Sequence, residues 1–156
     1  MEQNPSSPSQ PYSAEELVPH SGDMSLVDEV LEVAEESLRA RLTVRDDDIF
    51  SRNRRVPAYV GIEYMAQAVA AFSGYHAREA GQPVQLGFLL GTRRFASNVA
   101  WFECGSQLQI TVERLLQADN GMATFECRLT GEGIEQTARL NVYQPDNIEE
   151  YLKEKR

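Results

Sequence analysis

Residues 60–75 read VGIEYMAQAVAAFSGY, and this stretch constrains the fold more than any other. From 60 to 80 the residues are apolar or small on nearly every side of a helix, which predicts a helix covered by the rest of the protein. Gly81 is placed to end this helix, and Pro83 prevents its continuation. Because a carboxylate, an amide and several charged residues interrupt the stretch, we expect a buried helix rather than a membrane span.

The rest of the chain carries the pattern of an antiparallel sheet. Apolar and polar residues alternate over 37–45, which is the period of a strand with one solvated face. Similar runs, separated by turn signals, lie at 26–33, 87–95, 107–116, 122–130 and 136–143. This order predicts an α+β fold: two strands, the long helix and then an antiparallel meander of four strands. A curved sheet covers only part of an apolar helix, so we expect a second molecule to cover the remainder.

Length and composition limit the possible functions. The chain has 156 residues, which predicts one domain over 13–156, and its Pro-, Ser- and Gln-rich start predicts a flexible tail over 1–12. A net charge of −9 argues against nucleic acid or an anionic membrane as a general partner. The start does not have the pattern of a secretory signal. Cys104 and Cys127 lack metal-ligand spacing, so we expect two reduced thiols in a cytoplasmic protein.

A carboxylate inside the apolar helix requires an explanation. An ionised group is costly to bury unless it is paired or hydrogen-bonded. Gln67 lies one helical turn beyond Glu63, where its amide can donate to the carboxylate. The pair either faces solvent, or is a satisfied polar contact in the core, or belongs to a functional site. Pro57 and Ala58 precede the helix, so unpaired backbone N–H groups there can polarise a carbonyl group.

Arginines are concentrated in two short stretches of this acidic chain. They are Arg52, Arg54 and Arg55 before the helix, and Arg93 and Arg94 on the first strand after it. They form a candidate patch for a phosphate or an acidic partner, and the alternative is a solvated charged loop. The chain has two histidines. His76 lies near the helix C-terminus, where a dipole or surface role is expected, and His20 follows a proline in a loop before the first strand.

Three segments resemble the β-hydroxyacyl-acyl carrier protein dehydratases. PHSGDMSLVDEV is similar to their opening motif, PAYVGIEYMAQA to their helix motif, and GFLLGTRRFASNVAWFECGSQLQI to a later pair of strands. The match runs over 19–142, and PHSGDM, RRVPAYVGIEYMAQ and GFLLGTRR most resemble the ApeP-type proteins of aryl polyene biosynthesis. The resemblance implies a hotdog fold, in which an antiparallel sheet wraps around a long central helix. It also implies a dimer with active sites between subunits, and a substrate held through phosphopantetheine on an acidic acyl carrier protein.

The resemblance also implies roles for individual residues. Glu63 matches the acidic catalytic residue of these dehydratases, Gln67 its supporting amide, and Ala58 the residue whose backbone N–H binds the thioester carbonyl. The catalytic histidine precedes the helix in this family, but Ile49 holds that position here, and DDDIFSRNRRVPAY contains no histidine. Either His20 takes the role, or the protein is a weak or inactive homologue.

The activity expected from the resemblance is dehydration of 3-hydroxyacyl thioesters on acyl carrier protein to trans-2-enoyl thioesters, in fatty acid-like or aryl polyene biosynthesis. His20 would take the α-proton and Glu63 would protonate the departing hydroxyl. The five arginines would bind the carrier protein or its phosphopantetheine. No metal or redox cofactor is needed, because the thioester itself acidifies the α-carbon. The alternatives are a pseudo-dehydratase subunit paired with an active homologue, and a hotdog thioesterase. The assembly is expected to be a homodimer or a heterodimer with a related dehydratase.

Overall fold

The computed structural model describes residues 26–46, 50–82 and 87–144. The predicted tail over 1–12 lies outside these residues, and so do His20, Ile49 and Pro83. The described elements, in chain order, are β1 Glu29–Val33, β2 Ser37–Thr43, β3 Arg55–Pro57, a 3-10 turn Ala58–Val60, helix α1 Gly61–Glu79, β4 Phe88–Ser97, β5 Trp101–Glu103, β6 Gln107–Gln117, β7 Met122–Gly131 and β8 Ile134–Tyr143. The predicted helix and strands are therefore all present, with ends shifted by a few residues.

The six long strands form one antiparallel sheet in the order β1-β2-β6-β7-β8-β4. Strands β6, β7 and β8 form the predicted meander. The expectation that β4 would open this meander next to β6 is wrong, because β4 pairs with β8 and forms the edge of the sheet. The chain therefore passes from β4 through the short β5 before it enters β6 beside β2.

Alternation along the strands separates a face toward α1 from an outer face. In β2 the side chains of Leu38, Ala40 and Leu42 are buried, whereas Arg39 and Arg41 are exposed. The outer face carries cross-strand ion pairs such as Arg128 with Glu135 at 2.7 Å. Exposed pairs of this kind contribute little to stability, so burial of the apolar face provides most of the driving force.

Helix α1 packs against the inner face of the sheet. Tyr64, Met65, Ala68 and Phe72 are buried, and the ring of Phe72 meets that of Phe125 edge-on with centroids 5.4 Å apart. This arrangement confirms the α+β hotdog architecture, with the sheet wrapped around one long helix. No helix within residues 26–46, 50–82 and 87–144 is long and apolar enough to cross a membrane.

The helix ends as its sequence predicts. Gly81 adopts a φ of 72°, a left-handed conformation that favours glycine. The N–H of Gly81 donates to the Arg78 carbonyl at 3.1 Å, and the N–H of Gln82 donates to the Ala77 carbonyl at 2.8 Å. These two bonds form a Schellman motif, which satisfies carbonyl groups at the end of the helix.

A second, two-stranded sheet pairs a strand before the helix with a strand after it. Strand β3 pairs with β5, and Val56 lies opposite Phe102. Just before β3, reciprocal backbone bonds between Arg52 and Arg55 close a tight hairpin. Its two central residues, Asn53 and Arg54, have φ angles of 54° and 63°, as a type I′ turn requires. The hairpin therefore projects its arginines away from the core.

Candidate active site

Glu63 lies in the first turn of α1, where its side chain is half-buried and not enclosed in the core. It stands at one end of a groove of about 200 Å³ between α1 and the edge of the sheet. Ala66 and Ala70 form the helix side of the groove, and Leu89 and Val142 form the strand side. Because these helix residues are small, an extended apolar chain has room to lie beside the carboxylate.

The amide of Gln67 connects Glu63 to the start of β1. Its Oε1 accepts hydrogen bonds from the backbone N–H groups of Leu26 at 2.8 Å and Val27 at 3.3 Å. Since both partners are donors, this end of the amide must be the oxygen. The Nε2 of Gln67 consequently faces Glu63 and donates to its Oε1 at 3.3 Å. The predicted pairing of these two side chains is thus present, and Gln67 is itself buried.

The entrance to the helix is held by backbone hydrogen bonds. The N–H of Ala58 donates to the carbonyl of Ala100 at 2.9 Å, which continues the pairing of β3 with β5. This bond corrects the expectation that the Ala58 N–H is unpaired and available to a thioester carbonyl. The carbonyl of Ala58 is also engaged, because it accepts from the side chain of Gln136 on β8 at 2.8 Å.

Gln136 was not singled out in the sequence, although a signal was present. It is the one polar residue among the inward-facing positions 136, 138, 140 and 142 of β8. Its side chain is fully buried. A polar residue on the apolar face of a strand must find hydrogen-bond partners, but its spacing does not show where those partners are.

The five arginines occupy two separate surfaces. Arg52, Arg54 and Arg55 are exposed on the hairpin before the helix, and the guanidinium of Arg55 lies 4.9 Å from the ring centre of Trp101. Arg93 and Arg94 instead lie on β4, in a shallow recess with Leu115 and Leu116. Arg93 pairs with Arg139, whose carboxylate partner is Glu126. No hydrogen bond or ion pair within the described part of the chain joins the two groups, so they are two patches and not one.

The structure describes one of the two histidines, His76. A ring nitrogen of His76 lies 3.1 Å from the carbonyl oxygen of Ala34, and its ring meets Phe72 and Tyr75 edge-on. Its place in α1 is about 20 Å along the helix axis from Glu63. A dipole or surface role was expected for His76, but its ring makes structural contacts at the far end of the helix from Glu63. His20 lies outside the described residues.

Neither cysteine forms a disulfide within the described residues. Cys127 is buried on β7, and burial raises the pKa of its thiol to about 12, with a smaller contribution from the neighbouring Glu126 carboxylate. Cys104 is half-buried, with its sulfur 3.6 Å from a carboxylate oxygen of Asp46. Within residues 26–46, 50–82 and 87–144, no group of three His, Cys, Asp or Glu side chains is placed to hold a metal ion.

Comparison with solved structures shows the same fold in dehydratases and thioesterases. The chain superposes on a chain of the dehydratase heterocomplex ApeI:P from Xenorhabdus doucetiae with a TM-score of 0.83 and 31% identity, covering 93% of this chain and 99% of that one. Thioesterase superfamily member 2 of zebra fish gives a TM-score of 0.60 at 15% identity, covering 85% of this chain and 92% of that one.

A hypothetical thioesterase with coenzyme A from Streptococcus pneumoniae TIGR4 gives a TM-score of 0.56 at 10% identity, covering 74% of this chain and 84% of that one. The two thioesterases are similar in fold alone. No curated protein matches the chain. The ApeP-like family, described as ApeP dehydratase, matches residues 12–153. The chain, with its hotdog fold and its Glu63–Gln67 pair, therefore belongs to the ApeP-like dehydratase family.

Proposed function

We propose that the protein dehydrates 3-hydroxyacyl thioesters carried on an acyl carrier protein to trans-2-enoyl thioesters, within aryl polyene biosynthesis. The observation that supports this most directly is the carboxylate of Glu63, which a fixed amide donor holds at the end of an apolar groove. A general acid needs this combination of a defined orientation and access to the substrate. Membership of the ApeP-like dehydratase family supports the same reaction class.

The proposed reaction removes water across the α and β carbons. A base takes the α-proton, which the adjacent thioester makes acidic, and charge develops on the thioester oxygen. Glu63 in its acid form gives its proton to the β-hydroxyl group, the carbon–oxygen bond breaks, and the hydroxyl leaves as water. The donor from Gln67 keeps Glu63 in one orientation during this transfer, since the other end of that amide is fixed to the backbone of Leu26 and Val27.

We assign the base to His20. Six residues after His20, the N–H of Leu26 donates to the side-chain amide of Gln67, which in turn donates to Glu63. A stretch of about six residues spans at most about 20 Å, so the length of the chain allows His20 to reach Glu63. A histidine with an ordinary pKa is partly neutral at physiological pH, as a general base must be.

The acidic carrier protein is proposed to approach the hairpin arginines. Arg52, Arg54 and Arg55 are exposed and immediately precede the strand that leads into the helix entrance. Positive charge at this place attracts an acidic protein and can bind the phosphate of phosphopantetheine. Arg93 and Arg94 lie on the edge strand β4 and would attract the carrier protein at longer range.

The edge strand supports an assembly of at least two chains. Strand β4 pairs with β8 on one side and ends the sheet on the other. It exposes Leu89, Leu90 and Phe95 at 43%, 53% and 36% of their surface, which is unusual for an unprotected sheet edge. The Glu63 groove lies beside the same strand, so we propose that a second chain, identical or related, covers the groove there. The ApeI:P heterocomplex is a precedent for a related partner.

We further propose that the protein acts in the cytoplasm, where disulfides are rare, since Cys104 and Cys127 form none within the described residues.

A pseudo-dehydratase is the second candidate. The segment before the helix carries no histidine, and the described part of it, residues 50–57, consists of the arginine hairpin and β3. If the base must be a histidine of that segment, this chain cannot supply it, and its contribution would be to complete and stabilise an active partner.

One assay, run on two substrates, separates these functions. Purified protein is mixed with a 3-hydroxyacyl thioester of pantetheine, and then with the same acyl group on a carrier protein. Ultraviolet absorbance reports the conjugated enoyl thioester, and a thiol-trapping dye reports hydrolysis. Enoyl product without free thiol supports the proposed dehydratase. Free thiol alone indicates a thioesterase. No product from the protein alone, together with faster product formation by a related dehydratase in its presence, indicates the pseudo-dehydratase.

A further inference from the structure

Gln136 is a buried amide with only one end satisfied. Its exposure is 0%, and its Nε2 donates to the carbonyl of Ala58 at 2.8 Å and to the hydroxyl of Ser97 at 3.0 Å. Because a carbonyl oxygen can only accept, the nitrogen must face Ala58. The opposite atom, Oε1, is buried with no hydrogen-bond partner in the described part of the chain. An unpaired buried acceptor is costly, so the presence of this amide in the core requires an explanation.

The helix entrance is shaped to admit this amide. A Cβ atom on Gly61 would lie 1.9 Å from Oε1 of Gln136, so only glycine leaves space for the side chain there. Oε1 therefore points directly at the first residue of α1. The hydroxyl of Ser97, the second acceptor of Nε2, donates in turn to the carbonyl of Val99 at 2.8 Å. The Gln136 amide on β8 is thus bonded both to the end of β4, through Ser97, and to the carbonyl of Ala58 before the helix.

The carbonyl of Ala58 belongs to the peptide group that joins Ala58 to Tyr59. It accepts from Gln136 and also from a backbone N–H that closes the 3-10 turn. In a trans peptide the carbonyl and the N–H point in opposite directions. Fixing the Ala58 carbonyl toward the core therefore turns the N–H of Tyr59 away from it. This N–H has no acceptor within residues 26–46, 50–82 and 87–144, and Tyr59 is 68% exposed.

We infer that Gln136 is a positioning residue, which orients the Ala58–Tyr59 peptide so that the Tyr59 N–H donates to the carbonyl oxygen of a bound acyl thioester. This inference rests on the proposed function. The Ala58 N–H does not serve in this role, because Ala100 already accepts it. Side chains on a helix lean toward its N-terminus, so the carboxyl of Glu63, one turn on, covers the turn that contains Tyr59. The general acid and the carbonyl donor then face the same substrate.

This role also explains why a destabilising buried amide is present at position 136. A donor that stabilises charge on the thioester oxygen is effective only if it is held in place before the reaction. Two bonds to one carbonyl hold the peptide plane, so that it cannot rotate unless both are broken. An apolar side chain at position 136 would avoid the unpaired Oε1 but would leave the Ala58 carbonyl without this bond.

The test uses binding and does not depend on turnover. The probe is a 3-hydroxybutyryl-pantetheine amide analogue, labelled with ¹³C at its carbonyl, added to ¹⁵N-labelled protein. The Tyr59 amide proton and the labelled carbonyl carbon should both shift downfield on binding, while the Ala58 amide should stay in place. Movement of the Ala58 amide with a static Tyr59 amide would overturn the inference.

Two matched pairs of variants complete the experiment. Gln136→Met removes the Nε2 group that donates to the Ala58 carbonyl, and it should abolish most of the carbonyl shift. Ser97→Ala removes only the hydroxyl that also accepts from Nε2, and it should preserve the shift. Tyr59→Pro deletes the N–H and should abolish the shift even if Gln136→Met fails to fold, whereas Tyr59→Ala keeps the N–H and the shift.

Where the wild type turns over, Gln136→Met and Tyr59→Pro should lower kcat about 10²-fold, the scale of one lost oxyanion donor, with a smaller change in KM. A folded Gln136→Met or Tyr59→Pro protein with an unchanged carbonyl shift would refute the inference. Binding without turnover would refute only the proposed catalysis, and a wild type that binds no analogue would refute both.

Discussion

The side chain of Gln67 holds Glu63 from one helical turn away, with Nε2 donating to Oε1 at 3.3 Å. The same amide accepts from the backbone N–H of Leu26 at 2.8 Å. One buried side chain therefore links the candidate acid on α1 to the segment that enters β1. The orientation of Glu63 and the anchoring of that segment cannot be changed independently.

Replacement of Gln67 tests this link. In Gln67→Leu the N–H groups of Leu26 and Val27 lose their buried acceptor, which should cost about 1–3 kcal/mol of unfolding free energy. Glu63 loses its donor at the same time, so dehydration should fall by about 10-fold or more. Urea denaturation and the enoyl absorbance assay measure the two effects. Gln109→Leu on the exposed outer face is the matched control and should change stability by less than about 0.5 kcal/mol. Equal behaviour of the two variants would show that the link has no effect.

Replacement of Glu63 tests the acid itself. Glu63→Gln keeps the size of the side chain and can still pair with Gln67, so the protein should fold normally. Dehydration should fall by about 10²-fold or more, which is the usual contribution of a general acid. Glu113→Gln, on an exposed position of β6, should leave the rate unchanged. Normal turnover in Glu63→Gln would remove this residue from the mechanism, and a protein that failed to fold would indicate a structural pair instead.

The helix, the long strands and the Glu63–Gln67 pair were predictable because each depends on spacing within one segment. The alternation of Leu38, Arg39 and Ala40 specifies a strand with one buried face whatever its neighbours are. A carboxylate and an amide one turn apart meet on any helix. The hotdog fold followed from the resemblance of such segments to a known family.

The features that were missed depend on partners far away in the chain. Strand β4 was expected beside β6, but its actual neighbour, β8, is chosen by pairing across the whole sheet. Strands β3 and β5 have three residues each, too few to show a period. Gln136 and Ala58 are separated by 78 positions. Nothing local to either residue shows that they meet, or that Ala100 takes the Ala58 N–H.

Charge removal tests the hairpin arginines. In Arg52→Gln/Arg54→Asn, KM for a carrier-bound substrate should rise by about 10-fold at low salt, because steering of an acidic partner is weakened. KM for a pantetheine substrate should stay the same, and the difference should shrink as salt screens the charges. Arg93→Gln/Arg94→Gln should show a smaller effect, since these residues form the separate patch on β4. An equal loss on both substrates would point to a damaged fold and not to steering.

The buried thiol of Cys127 predicts a loss of stability in alkali. Burial raises the pKa of this thiol to about 12, whereas a cysteine in an unfolded chain titrates near pH 8.5. The unfolded state therefore releases a proton above about pH 8.5 that the folded state retains, and folding is disfavoured as the pH rises. Unfolding free energy should fall by up to about 1.4 kcal/mol per pH unit through this group.

Urea titrations between about pH 8 and 10 measure that slope. Cys127→Ala should flatten it, and Cys104→Ser should retain it. Identical slopes in wild type and Cys127→Ala would show that the thiol is not the cause.

His20 decides between the dehydratase and the pseudo-dehydratase. If His20 is the base, it must be neutral to accept the α-proton, and an ordinary imidazole gains a proton below about pH 6.5. Dehydration by the wild type should therefore decline on the acid side of the pH profile. His20→Ala should remove that decline together with most of the rate.

The second histidine supplies the control for His20. His76 contacts the carbonyl of Ala34 and the ring of Phe72, at the far end of α1 from Glu63. His76→Ala should therefore change stability by about 1 kcal/mol, the worth of a typical hydrogen bond, and leave the pH profile as it was. If His20→Ala instead retained both the rate and the acid decline, another group would be the base. If the wild type alone formed no enoyl product but accelerated a related dehydratase, and if His20→Ala accelerated it equally, the chain would act as the non-catalytic subunit of a pair.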